Sequence, residues 1–410
     1  MTVADQRVAA AAVPAAALPA TSPAAEADHF DTGRVTTIAA GHWIHDSYTA
    51  FLAPMLPLFK QTLGLSNTEA GLLSVFMQEA SLAQPLIGRV ADRFSARYFV
   101  VFAPAVTGIA MSLLGVAPNY LFLAILLTIA GLSSACIHAV GPVLVGNVSG
   151  KKLGSGMSIW MVGGEAGRFI GPLVIGLAIP LLTVRRMPVL MIGGLLASAA
   201  LLLTLKERPR HGPEISRSGT SLRAEMAGKG RLLAVLVAFI TIHVFMSAAL
   251  VTYLPTLLHD EGESFWLSSV ALSVLQAAGV VGALFGGTLS DRLGRRRLLF
   301  ASVLPTSIFM FVFLAATGWS RFPILVVLGL TSLSITPVMM ALVQESFPKN
   351  RALANGFYMA LSFLIRSVVV ILLGRLGDLF GLRLAFTVSA IVPLLGLPLL
   401  RWLPEKTRAR

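Results

Sequence analysis

Beyond residue 34 the chain alternates between long apolar blocks and short polar breaks. The blocks fall at residues 35–59, 68–91, 98–116, 120–147, 155–180, 188–205, 231–258, 266–290, 298–317, 322–346, 352–377 and 384–403. Each is long enough for a helix to cross a hydrocarbon layer of about 30 Å. The pattern predicts an all-α integral membrane protein of twelve transmembrane helices. Breaks such as Ala117-Pro118-Asn119 are so short that successive helices must be antiparallel neighbours.

One break differs. Residues 206–230 hold Pro209, Gly212, Pro213, Gly219 and a run of basic residues, and predict a cytoplasmic linker with a short surface helix near 221–226. The linker separates an N-terminal six-helix bundle (35–205) from a C-terminal one (231–403). Residues 1–34, rich in Ala and Pro, lack an apolar periodicity and are expected to be a disordered cytoplasmic tail, with 404–410 a second short tail. The N-terminal stretch also lacks the basic start and apolar core of a signal peptide.

The two bundles repeat a loop. Gly88-x-x-x-Asp92-Arg93 with Arg97 closes the second block, and Gly287-x-x-x-Asp291-Arg292-x-Gly294-Arg295-Arg296 closes the eighth. Upstream, Leu73-Ser74-Val75 falls on Leu272-Ser273-Val274 in the same register, so two coincidences indicate a duplicated half. The spacing resembles the signature loop between the second and third helices of each half in the major facilitator superfamily. The second copy fits throughout, whereas the first has Ser95 and Ala96 where Gly and a basic residue are expected. Two bundles matching in parallel register imply an axis along the membrane normal and a substrate site between them near the midplane.

Composition sharpens this reading. Of 410 residues, 56% are hydrophobic and 12% charged, with a mean hydropathy of +0.80. A net charge of +13 could suggest a nucleic-acid partner, but the basic residues punctuate apolar blocks rather than forming a patch. Most of the 32 Lys and Arg residues fall in the tails and on the loops of the tail side. The opposite side holds Lys60, Arg185, Arg186, Arg321 and Arg383 in loops and Arg375 at the end of its block, and Arg168 and Arg366 lie deep inside blocks. This asymmetry places both termini in the cytoplasm of a plasma (inner) membrane protein. The single cysteine, Cys136, excludes a disulfide framework. No ATP-binding loop or catalytic triad is present, so neither an enzyme nor an ATP-driven pump is expected.

Polar residues inside apolar blocks mark candidate chemistry, because an unpaired charge in hydrocarbon is costly. In the first block His42, His45, Asp46 and Thr49 share one helical face. Asp46, Glu79 and Glu165 are candidate proton-coupling carboxylates, structural pairing being the competing reading for each. A transition-metal site on His42, His45 and Asp46 is a further reading, though two imidazoles and one carboxylate on a single helix are a weak signal; the expectation is no resident metal or cofactor, with the proton gradient as energy source. Glu165 and Arg168, three apart, can form an ion pair. Arg366 lies near the position equivalent to Arg168, so two guanidiniums across a cavity would suit a carboxylate, phosphate or phosphonate. His138, Trp160, His243 and Gln276 complete a candidate lining, each with helix packing as the alternative. Gly163, Gly167 and Gly171 form a stripe without side chains, followed by Pro172, on which another helix can pack.

Gly41-His42-x-x-x-Asp46-x-Tyr48, His138 and the run Gly163-Gly164 through Gly171-Pro172 are similar to the fosmidomycin-resistance type of major facilitator exporter. That resemblance implies a proton-for-drug exchanger with Asp46 as a coupling candidate and Arg168 near substrate. Where relatives continue the fourth-helix His with Pro and Glu, this chain has Ala139 and Val140. If a Glu there couples protons in relatives, Glu79 or Glu165 must serve here. The expectation is a monomeric secondary transporter, embedded in lipid, that exports a small, anionic or drug-like molecule in exchange for protons by alternating access. The alternatives are a proton symporter importing a metabolite anion and a membrane receptor without transport.

Overall fold

The computed structural model describes residues 30–91, 95–205, 228–348 and 350–403. Most of the expected tails and linker, with Asp92 and Arg93 of the first signature loop, lies outside the described residues. The elements are α1 (Thr32–Thr49), α2 (Leu52–Leu63), α3 (Asn67–Glu79), α4 (Gln84–Ala91), α5 (Ala96–Leu113), α6 (Tyr120–Val148), α7 (Leu153–Leu182), α8 (Met191–Thr204), α9 (Gly230–Ala248), α10 (Leu254–Asp260), α11 (Phe265–Leu293), α12 (Arg295–Ala315), α13 (Arg321–Ser332), α14 (Ile335–Ser346), α15 (Arg351–Phe380) and α16 (Leu382–Ile391). Ten helical spans among the described residues are long and apolar enough to cross a membrane. The first two expected spans are built from α1 with α2 and from α3 with α4.

The first helix starts at Thr32, not at the expected 35, because Asp31 caps it by accepting the Arg34 N–H at 3.0 Å. Four spans are interrupted and then resume as α-helix, and in each a proline follows the interruption; the last span instead passes into the 3-10 helix Val392–Trp402. Pro54 follows the turn at 50–51, Pro85 the 3-10 segment Ala80–Ala83, Pro255 the π segment Ala249–Tyr253, and Pro337 the break at 333–334. Proline has no N–H to give the carbonyl four residues back, so the ladder opens just upstream of it.

Hydrogen bonds and ion pairs between helix ends define two faces. Asp31 with Val148, Arg97 with Leu202, Lys229 with Ser346, and Arg296 with Leu403 gather the helix ends nearest the described termini on one, called here the terminal face. On the opposite, distal face Arg321 and Arg383 both bind Glu261, and Tyr120 donates to the Glu69 carbonyl at 3.1 Å. Buried apolar side chains form three clusters, two drawn from residues 35–205 and one from residues 235–403. Large apolar side chains such as Leu181 (71% exposed) and Leu203 (76%) point outward, as a lipid-facing surface requires.

The glycine stripe sets the closest helix pair. A Cβ on Gly163, Gly167 or Gly171 would lie 2.4, 2.5 or 2.3 Å from the carbonyl oxygens of Ala39, Trp43 and Ser47. The backbones of α7 and α1 therefore pack directly on each other, which brings the polar face of α1 against α7.

Candidate substrate and coupling site

Three helices converge on Asp46. On α1, His42 Nε2 is 3.4 Å from Asp46 Oδ2, one helical turn away, and His45 Nε2 is 3.9 Å from Oδ1. From α6, His138 Nε2 comes within 3.9 Å of Asp46 Oδ1 and 3.3 Å of His42 Nε2. From α7, Trp160 stacks on the His42 ring at a centroid distance of 3.8 Å, and its carbonyl lies 3.0 Å from His42 Nδ1. Gly164 leaves the room for this, since a Cβ there would sit 2.4 Å from His42 Cε1. His42, His45 and Asp46 are buried, while the His138 side chain is 35% exposed, so the cluster has one open edge.

Elsewhere the candidates disperse. Glu165 and Arg168 bind each other on α7 with the guanidinium side chain 45% exposed. Arg366 donates to Thr252 Oγ1 at 3.2 Å within the C-terminal half. His243 is 8% exposed among Phe239, Ile242, Met246, Val303 and Pro393. Gln276 on α11 is half-buried.

Glu79 behaves differently from the other two carboxylates. Ser367 Oγ on α15 donates to Glu79 Oε1 at 2.5 Å, so this contact runs between the two halves. Ser367 is the chain neighbour of Arg366, which ties the guanidinium's backbone to the same crossing.

In the second signature loop Asp291 binds Arg295 at 2.6 Å, and Arg295 also reaches Glu345 at 2.9 Å. Gly294 turns the chain at φ 95° and ψ 145°, a conformation open chiefly to glycine. In the first loop Arg97 donates to the Leu202 carbonyl at 2.6 Å.

The sequence reading missed a third loop of the same spacing, Gly374-x-x-x-Asp378-x-x-Gly381-x-Arg383, on the distal face. Gly381 adopts φ 83° and ψ 150°, nearly the backbone of Gly294. A degenerate fourth copy, Gly176, Pro180, Thr183 and Arg185, keeps the turn with Thr183 at φ 67° and ψ 157°. Asp378 reaches across the halves. Its carboxylate accepts from the Asn67 and Thr68 N–H groups at 2.6 and 3.1 Å and from Thr68 Oγ1 at 2.5 Å, capping α3 at its N-terminus. The Tyr253 hydroxyl donates to the Val370 carbonyl at 2.8 Å and lies 3.2 Å from the Asn67 carbonyl across the halves. Lys60 meets Asp260 at 2.8 Å, and Gln61 lies 2.7 Å from His259. The two halves are thus fastened together at the distal face.

Comparison with known proteins agrees with this architecture. The Major Facilitator Superfamily profile matches residues 38–325 and 269–410. The chain belongs to that superfamily, and it is a multi-pass membrane transporter rather than an enzyme. It is 22% identical over 371 residues to the fosmidomycin resistance protein of Escherichia coli, covering 89% of this chain and 91% of the relative. It is 26% identical over 362 residues to the multidrug resistance protein MdtG of Serratia proteamaculans, covering 84% and 87%. Its fold resembles that of a bacterial homologue of the human lysosomal transporter Spinster in an inward-facing, occupied conformation. That likeness has a TM-score of 0.75 at 15% identity, covering 90% of this chain and 95% of the other.

Proposed function

We propose that this protein is a proton-coupled antiporter that exports a small organic anion by alternating access, with the terminal face in the cytoplasm. The observation that carries the reading is the hydrogen bond between Glu79 and Ser367, which joins the halves one residue from Arg366. A hydroxyl donates about twice as strongly to an ionised carboxylate as to a neutral acceptor, so the ionised form of Glu79 favours the closed distal face. An anion arriving at Arg366 from the terminal side competes for Ser367, breaks the link and lets the distal face open.

Opening takes Ser367 away from Glu79. An unpartnered carboxylate at this depth is costly, so in the distal-open state Glu79 takes a proton from that side. Closure presents Ser367 again and favours release of the proton to the terminal side. Each cycle then moves one anion out and one proton in, because the two loads favour opposite states. Asp46 lies within one half, enclosed by three imidazoles, so a swing between halves changes its partners less. Glu165 is satisfied by Arg168 on its own helix. The relatives named for fosmidomycin and multidrug resistance support export as the direction.

The test uses proteoliposomes acidified inside, with phosphonates, carboxylates and neutral drugs added outside. Alkalinisation driven by an anionic compound is expected. Further acidification would replace antiport with symport, and binding without any proton flux would leave a receptor.

A further inference from the structure

We infer that His42, Asp46 and His138 form a binding site for one divalent transition-metal ion, with zinc the best match. Such a site is independent of Glu79 and of proton coupling, and two imidazoles form its core. His42 Nδ1 lies 3.0 Å from the Trp160 carbonyl, and His138 Nδ1 lies 2.8 Å from the Ser134 carbonyl. A carbonyl oxygen can only accept, so both Nδ1 atoms carry the hydrogen and donate it. Each neutral ring then has its lone pair on Nε2. These two lone pairs face each other at 3.3 Å, beside Asp46 Oδ2 at 3.4 Å from His42 Nε2 and Oδ1 at 3.9 Å from His138 Nε2. Three acceptors facing inward repel one another unless a cation lies among them.

The spacing suits a metal. Two donors bound tetrahedrally at about 2.0–2.1 Å stand roughly 3.3–3.4 Å apart, which is the observed separation for two of the three pairs. The ligand atoms of the three residues all lie within 4.8 Å of one another. Imidazole and carboxylate donors suit zinc, nickel or copper more than calcium or magnesium. The surroundings match as well, since ligating histidines usually donate their other N–H to a carbonyl, which fixes the ring and its tautomer. Here the Trp160 stack on His42 adds a second constraint on the ring plane. Three protein ligands leave a fourth position, and the partly exposed His138 side chain gives the cluster an open edge at which water can fill it. The site draws on α1 and α6, which the sequence could not bring together.

The experiment uses full-length protein in detergent, purified without a polyhistidine tag and stripped with chelator. Titration with Co2+ should give the intense visible bands of a tetrahedral ion at one equivalent, displaced by Zn2+. His42→Ala and His138→Ala should each weaken Zn2+ at least tenfold, and Asp46→Asn should weaken it by a similar factor. His259→Ala, at the distal face, should bind as the wild type does. Zinc should also raise the melting temperature of the wild-type protein and not of the double variant His42→Ala/His138→Ala, a readout that needs no transport. Absence of tetrahedral Co2+ bands from folded wild-type protein would overturn the proposal and leave a proton as the cation between the rings. Stoichiometric binding that survives the double variant would overturn it too.

Discussion

The polar centres of the two halves differ in kind. In the N-terminal half His42, His45, Asp46 and His138 gather with separations of 3.3 to 3.9 Å, a nest of acceptors that invites a cation. In the C-terminal half His243, near the counterpart of His45, is packed among apolar side chains and Thr306, and the prominent charge is Arg366, itself a cation, held by Thr252. A repeated architecture thus carries different chemistry in its two halves: imidazoles around a carboxylate in one, a guanidinium in the other, with Glu79 bound to Ser367 across the halves.

The largest test of this contrast concerns the arginines. Arg366→Ala should weaken an anionic substrate by about 3 kcal/mol, roughly a hundredfold, because truncating one partner of a buried charge pair costs 2–5 kcal/mol. Arg168→Ala should cost about tenfold or less, since Glu165 already neutralises that side chain. Binding titrations with anionic and neutral compounds read both, and equal losses for the two variants would erase the distinction.

Helix packing offers a second contrast. Gly167→Ala puts a Cβ 2.5 Å from the Trp43 carbonyl and should lower stability by about 1–3 kcal/mol, whereas a Cβ on Gly356 of α15 meets nothing within 4 Å. Gly356→Ala should leave the melting temperature unchanged or raise it slightly through helix propensity. Similar falls for both would contradict the direct backbone packing of α7 on α1.

The smallest effect is expected at the distal face. Asp378→Ala removes a cap worth about 1–2 kcal/mol, enough to shift the balance towards the distal-open state by roughly tenfold. Spin labels on Thr62→Cys and Glu263→Cys, which leave the Lys60–Asp260 pair in place, would report it as a longer distance population. An unchanged distribution would mean that Asp378 does not hold the face shut.

Much of this was legible in the chain. The apolar blocks gave the spans, but proline positions do not single out the breaks, since Pro104, Pro142, Pro172 and Pro305 lie inside unbroken helices. His42 and Asp46 share a face by their spacing alone. His138 could be named as polar but not placed, because which helix meets which is a property of the packed bundle. Glu79 was visible as an isolated carboxylate, while Ser367 carried no signal among the many serines of apolar helices. The Asp378 loop was readable, since its Gly, Asp, Gly and Arg keep the spacing of the signature loop. The comparison of halves in parallel register passed over it because the matching copy lies at the opposite face.

Coupling through Glu79 is tested most directly by reconstituting Glu79→Gln and measuring two fluxes of the same anionic substrate. The account predicts that exchange of labelled for unlabelled substrate persists, while uptake driven by a pH gradient falls to the level of empty liposomes. Gradient-driven uptake at the wild-type rate in that variant would contradict it.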